Sequence, residues 1–387
     1  MRFITASAIF SGKGYLATNS VLVLNEEQVI VDIVPANTIE QSSIEFHEGI
    51  LCPGFINTHC HLELSHLKDK IQPHTGIVDF ALGIIKNRNQ VSEEVQLEYM
   101  KEADRLMMSE GIVAVGDISN TGLSASVKKE STLFYHTFVE LIGLNPQNAQ
   151  LIYETGKKIE DVFAKNNLSC SLSPHAPYST SLPLIKHIAT DCEIEAKPMT
   201  IHNQESEAEN LFFKAKQGNY LRLYTTLNIP IDYFQASEKS SLQTIADSFS
   251  KEVNTLLVHN TFTDQEDITV VHEKHEHIYW CLCPNANLYI ENTLPDIELL
   301  KQHNCKLTIG TDSLASNSSL SIIDEINVIL KKYPTIGMEF LLQSATINGA
   351  QYLGIENQFG TFEKNKKPGV NLIEKTVEGN YTVKKLA

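Results

Sequence analysis

The sequence predicts an α/β protein, a (β/α)8 TIM barrel with a small β-sandwich domain built from both ends of the chain. Three observations carry that expectation. Short β-prone runs recur along the middle of the chain, several ending in a metal-ligand residue type; helical stretches separate most of them; and the two ends resemble each other more than they resemble the middle.

The first segment, to about residue 50, reads as short strands over Ile4–Phe10, Ser20–Leu24 and Val29–Ile33, with breaks at Gly12, Gly14 and Asn25-Glu26-Glu27. The middle, 51–353, offers strands at 51–58, 112–118, 132–140, 168–174, 199–203, 255–260, 278–283 and 306–312, with helices including 93–110 and 150–166. The tail, 354–387, returns to strand and turn: Gly360-Thr361-Phe362 and Val370-Asn371-Leu372-Ile373 as strands, 364–369 as the turn between them. Pairing of 1–50 with 354–387 then makes one small domain beside the barrel.

Composition narrows the partners. The 387 residues carry a formal net charge of −16, the wrong sign for a nucleic-acid partner, which needs clustered Lys and Arg. Seven Cys without framework spacing fit the reduced thiols of a cytoplasmic protein. The start, Met1 to Ala6, lacks a long apolar leader, and no stretch approaches the apolar length of a membrane span, so no membrane partner is expected. A homodimer is the commonest symmetric arrangement for such a chain.

The chemistry is concentrated at predicted strand ends, where barrels keep their active sites. His59 and His61 close an apolar run two residues apart, and strand alternation turns both imidazoles the same way. His202 and Asp312 close two later runs. Three neutral imidazoles and a carboxylate suit one borderline divalent ion, zinc first and iron second. Such an ion would lower the pKa of bound water toward about 7 and provide hydroxide at neutral pH. Asp312 is placed to take that water's proton. Glu205, three residues after His202, is placed to move protons to a substrate nitrogen, although a helix N-terminal carboxylate is an equally good description of it. His259 would orient the hydroxide or polarise the substrate, and His175 would touch substrate. His272, His275 and His277 read as a solvated helix end, and Cys281 and Cys283 as buried inert thiols.

As a set, Pro53-Gly54-Phe55-Ile56-Asn57-Thr58-His59-Cys60-His61, His202 with Glu205, His259, Cys283-Pro284-Asn285-Ala286-Asn287, and Gly310-Thr311-Asp312 followed by Ala315-Ser316-Asn317 resemble the amidohydrolase superfamily. The resemblance spans nearly the whole chain and lies with the nucleobase and nucleoside deaminases and triazine hydrolases. It implies a distorted barrel, one metal on His59, His61, His202 and Asp312, and catalysis by Glu205 and His259, with Asn287 against the substrate. No Lys closes the fourth strand, which favours the one-metal type. Within that branch, His59-Cys60-His61-Leu62-Glu63-Leu64-Ser65, Gly76 to Phe80 with Arg88, and Ser173 to Ser179 are similar to aminodeoxyfutalosine deaminases. That likeness puts Glu63 on a polar substrate group or, equally, on a bond holding His61. Phe80 stands where that group carries Trp, and Ala286 where a Ser is common.

The function expected is hydrolysis of a non-peptide C–N bond in a small heterocyclic substrate, with deamination of an adenine-type base or nucleoside first and aminodeoxyfutalosine a candidate. Hydrolysis of a cyclic amide, or another displacement on a heterocycle, is the alternative. A non-catalytic binding protein is disfavoured by the complete ligand set.

Overall fold

A computed structural model describes residues 1–387. Four strands open the chain: β1 (Arg2–Ile9), β2 (Ser20–Leu24), β3 (Ile30–Pro35) and β4 (Ile44–Pro53). Eight more form the body: β5 (Phe55–Cys60), β6 (Ile112–Ser119), β7 (Phe134–Leu141), β8 (Ser169–Pro174), β9 (Met199–Asn203), β10 (Thr255–His259), β11 (Ile278–Leu282) and β12 (Lys306–Ile309). Two close it, β13 (Val370–Lys375) and β14 (Tyr381–Lys385).

The end strands make one six-stranded sheet in the order β14-β13-β4-β1-β2-β3, with β1 and β4 parallel and the other neighbours antiparallel. The expected join at residue 50 falls inside β4, which runs on to Pro53. The chain breaks instead at Gly54, where a Cβ would lie 2.3 Å from Val113 Cγ1. Gly360–Phe362 forms no strand; Phe362 reaches the N-terminal segment through one backbone bond to Ser11 (2.8 Å). β14 escapes a reading by hydrophobicity because its Tyr-Thr-Val-Lys-Lys sequence is a polar edge strand, paired on one side only.

The body strands are all parallel, in two four-stranded sheets, β5-β6-β7-β8 and β9-β10-β11-β12. They meet at two seams without a continuous ladder. At β5/β12, Thr311 N and Asp312 N both donate to His59 O at 3.0 Å. At β8/β9, His202 N donates to His175 O at 2.9 Å. Strands buried on both faces read as near-continuous apolar runs, as Leu256-Leu257-Val258 in β10 and Ile278-Tyr279-Trp280-Cys281-Leu282 in β11 do.

Helices cover the outside because each presents one apolar stripe. The helix Ile322–Lys332 buries Ile322, Ile323, Ile326 and Ile329, spacing that suits a 3.6-residue turn, and leaves Lys331 and Lys332 in its last turn, where they complement the helix dipole. Each such isoleucine contributes up to about 1.5–3 kcal/mol through burial. The barrel's C-terminal rim then opens into a cavity of about 610 Å³.

Candidate metal centre and cavity

The site starts from β5. Against β6 its register shifts between Asn57, paired with Val115, and Cys60, paired with Asp117, so three steps on β5 face two on β6. This bulge bends the strand beside His59. Thr58 Oγ1 then ties it to β12 through Thr308 Oγ1 (2.8 Å) and Ile309 O (3.1 Å). Gly310 lets β12 come this close: a Cβ there would sit 2.7 Å from His59 Cβ and 2.9 Å from His59 O.

His59, His61 and His202 converge. His61 Nε2 lies 3.2 Å from both His59 Nε2 and His202 Nε2. A tetrahedral ion with metal–nitrogen bonds of about 2.0–2.1 Å separates its ligand nitrogens by about 3.3 Å, so the spacing fits one divalent ion. His202 donates Nδ1–H to His175 O (2.8 Å), which leaves the Nε2 lone pair for the metal. Asp312 Oδ1 stands 3.4 Å from His61 Nε2 and 3.6 Å from His59 Nε2, while its Oδ2 accepts from Ser316 Oγ (2.5 Å). Burial pushes His59, His61 and His202 below the usual histidine range, which keeps them neutral and able to ligate.

Glu205 and His259 face this cluster from β9 and β10. The helix after β9 begins at Glu207 with Ser206 as its cap, so Glu205 precedes the helix and is not part of its first turn. The turn that aims it runs through Gln204 at φ 45°, a left-handed conformation that a branched network holds. Gln204 donates Nε2 to Asp267 (2.7 Å) and Asn210 (3.0 Å), and its Oε1 accepts from Thr263 Oγ1 (2.6 Å). His259 (φ 75°) and Asp312 (φ 55°) are also left-handed, so the chain turns sharply at three strand ends around the site. Glu205 Oε1 lies 3.5 Å from His259 Nε2. Burial, with Asp312 adding like charge, pushes the Glu205 carboxyl well above the carboxylate range, whereas burial takes His259 down to about 3. In both groups burial disfavours the charged form.

His175 lines the cavity, its Nδ1 on Ser179 Oγ (2.5 Å), and burial lowers it to about 4. Two residues expected to contact substrate do not line this cavity. Asn287 is buried beside His259, with Nδ2 bonded to Thr261 Oγ1, and does not line the cavity. The Glu63 carboxylate turns away from both the cavity and His61. It accepts from Asn120 N (3.0 Å), Thr121 N (3.2 Å) and Thr121 Oγ1 (2.7 Å), because the turn after β6 offers it three donors at once.

The strand-end pattern did not single out Glu140, the penultimate residue of β7 and part of the cavity wall, or the fully buried Asp117–Lys128 pair (2.6 Å). Asp117 Oδ1 accepts from Leu62 N (2.7 Å), fastening the turn that follows His61. Glu140 is the last residue of the run assigned as strand at 132–140, and that position was the available signal. The His272–His277 stretch forms no metal cluster; His275 is buried, bonded to Ala246 O (2.9 Å), and not solvated. Cys281 and Cys283 are buried free thiols. No helix is long and apolar enough to cross a membrane.

Beside the metal ligands the cavity presents mainly apolar surface, with Ile77, Phe80, Ile84, Leu144, Leu223 and Ile229 among its lining side chains. Polar side chains line it too, Arg88, Asn145, Asn148 and Asn228 among them, so the cavity offers an apolar surface with separate hydrogen-bonding groups.

Residues 50–385 match the amidohydrolase family model. Over 332 residues the chain is 26% identical to an adenosine deaminase of Helicobacter pylori, covering 84% of this chain and 79% of that protein. The crystal structure of Helicobacter pylori aminofutalosine deaminase in complex with methylthio-coformycin superposes with a TM-score of 0.82 at 21% identity, covering 100% of each chain. An adenosine deaminase from Xanthomonas campestris with bound zinc shares the fold at a TM-score of 0.73 and 18% identity, over 97% of this chain and 85% of that one.

Proposed function

The chain belongs to the amidohydrolase family, and from that premise we propose that it is a metal-dependent aminohydrolase acting on an adenine-type base or nucleoside, aminodeoxyfutalosine among the candidates. The observation that carries this reading is Glu205, a carboxyl buried at the cavity floor, 3.5 Å from His259 and beside the three converging imidazoles. Deamination of an aromatic ring needs such an acid, because the ring nitrogen next to the attacked carbon must gain a proton as the water adds.

His59, His61, His202 and Asp312 would hold the ion. When bound, it supplies the Lewis acidity that makes water a nucleophile at neutral pH. We assign zinc, on the borderline character of the donor set and on the zinc of the Xanthomonas protein; iron is the alternative that elemental analysis separates. Asp312, oriented by Ser316, takes the proton of the attacking water and returns it to the departing amine. Glu205 protonates the ring nitrogen, His259 stays neutral beside it, and Asn287 steadies His259. The water oxygen–carbon bond forms, the carbon–nitrogen bond breaks and ammonia leaves, while the remaining hydroxyl proton returns to Glu205 as the product carbonyl forms. His175 meets the substrate from the β8 side. The buried reduced thiols suit a cytoplasmic setting, and a homodimer is the assembly that size-exclusion chromatography would test.

The test is ammonia release by metal-loaded protein, wild type against Glu205→Gln. The variant should keep its metal and lose roughly 10²–10⁴-fold in kcat. Full turnover in the variant would sink the role of Glu205. Opening of a cyclic amide without ammonia would replace the reaction itself.

A further inference from the structure

We propose that Glu140 reads the sugar of the substrate by accepting a hydrogen bond from a ribose hydroxyl, an assignment that rests on the nucleoside reading above. Glu140, the penultimate residue of β7, lies in the cavity wall and is 6% exposed. One of its oxygens is engaged: Oε2 accepts from Asn120 Nδ2 at 2.9 Å. The other, Oε1, is buried without a hydrogen-bond partner.

Two neighbours lie close but do not satisfy it. His202 Nδ1 is 3.5 Å away, and its N–H is already given to His175 O at 2.8 Å. Arg88 reaches Asn120 Oδ1 (3.4 Å) and forms no ion pair with Glu140. A buried carboxylate oxygen without a donor carries a large desolvation penalty, which a hydroxyl of a bound ligand would remove.

His175 places a second acceptor beside it. The Ser179 hydroxyl donates to Ala176 O (3.2 Å) and therefore accepts from His175 Nδ1–H, which leaves His175 Nε2 with a lone pair. Ligand atoms of Glu140, His175 and His202 lie within 4.8 Å of one another. The wall on this side of the metal ligands thus presents acceptors to the substrate.

The chemistry of an adenine nucleoside then selects the partner. Its unprotonated ring nitrogens only accept hydrogen bonds, and its amine sits on the carbon under attack. The donors left are the sugar hydroxyls, and a vicinal pair of them matches two neighbouring acceptors. A site built this way rejects an analogue lacking the hydroxyls, because the buried acceptor is again left unpaired.

The experiment compares adenosine, 2′-deoxyadenosine, 3′-deoxyadenosine and 2′,3′-dideoxyadenosine as substrates of the metal-loaded full chain, wild type and Glu140→Gln, with metal content measured on both. Wild type should lose roughly 10- to 100-fold in kcat/KM, through KM, when the hydroxyls are removed. The Gln variant should keep its metal and lose most of that discrimination. Equal use of adenosine and the dideoxy compound by wild type overturns the proposal, and this arm decides even if the variant does not fold. So does a variant that discriminates as wild type does, or one that loses its metal, which would make Glu140 a support for His202. Ammonia from none of the four compounds, and none from aminodeoxyfutalosine run beside them, would overturn the nucleoside reading itself and this assignment with it.

Discussion

At the β5/β12 seam the backbone does the holding: two amides, from Thr311 and Asp312, share His59 O, and Thr58 adds side-chain bonds to β12. At the β8/β9 seam one carbonyl, His175 O, takes both the amide and the Nδ1–H of His202. The first seam delivers His59, His61 and Asp312 with almost no freedom. The second delivers one ligand through its ring, and leaves the His175 side chain directed into the cavity. Metal geometry is therefore written mainly in backbone on one side, and substrate contact in side chains on the other. An open parallel sheet has no such closure; here the two joins of the half-barrels are where the ligands meet.

Breaking the support of the first seam should have the largest effect. Asp117→Asn keeps an acceptor for Leu62 N but leaves the fully buried Lys128 without its counter-charge. Such a change costs about 3–5 kcal/mol, to be read from denaturant unfolding. A loss under about 1 kcal/mol would show that Ser119 and Thr137, which also bond Lys128 Nζ at 3.0 Å, are sufficient alone.

Gly310→Ala comes next. Its methyl must displace His59 or Cys281, whose Sγ would be 2.9 Å away, so overpacking costs about 1–3 kcal/mol and the metal content should fall. Full metal occupancy in this variant would mean that β12 shifts without moving His59, and that the seam is softer than its bonds imply.

The second seam should yield more gently. Ser179→Ala removes the partner of His175 Nδ1 while leaving the His175 carbonyl on His202. We expect a loss of about 1 kcal/mol in kcat/KM, mostly through KM, with metal content unchanged. Metal loss here would show that the two halves of His175 are coupled, and would erase the contrast between the seams.

The sequence by itself determined the alternation of strands and helices, the placement of the ligand-type residues at strand ends and the six side chains His59, His61, His202, Glu205, His259 and Asp312 that the structure brings around one point. It could do so because period-2 burial and the barrel's one-sided rim leave few places for a polar side chain that ends an apolar run. Tertiary structure alone decided where Glu63 and Asn287 point, since each follows the nearest set of donors or acceptors supplied by a distant segment: Asn120 and Thr121 for Glu63, Thr261 for Asn287. It also decided the bulge at β5, the sharing of His59 O and His175 O across the seams, and the unpaired oxygen of Glu140. These are properties of register and of contact between residues far apart in the chain, and local pattern carries no record of either.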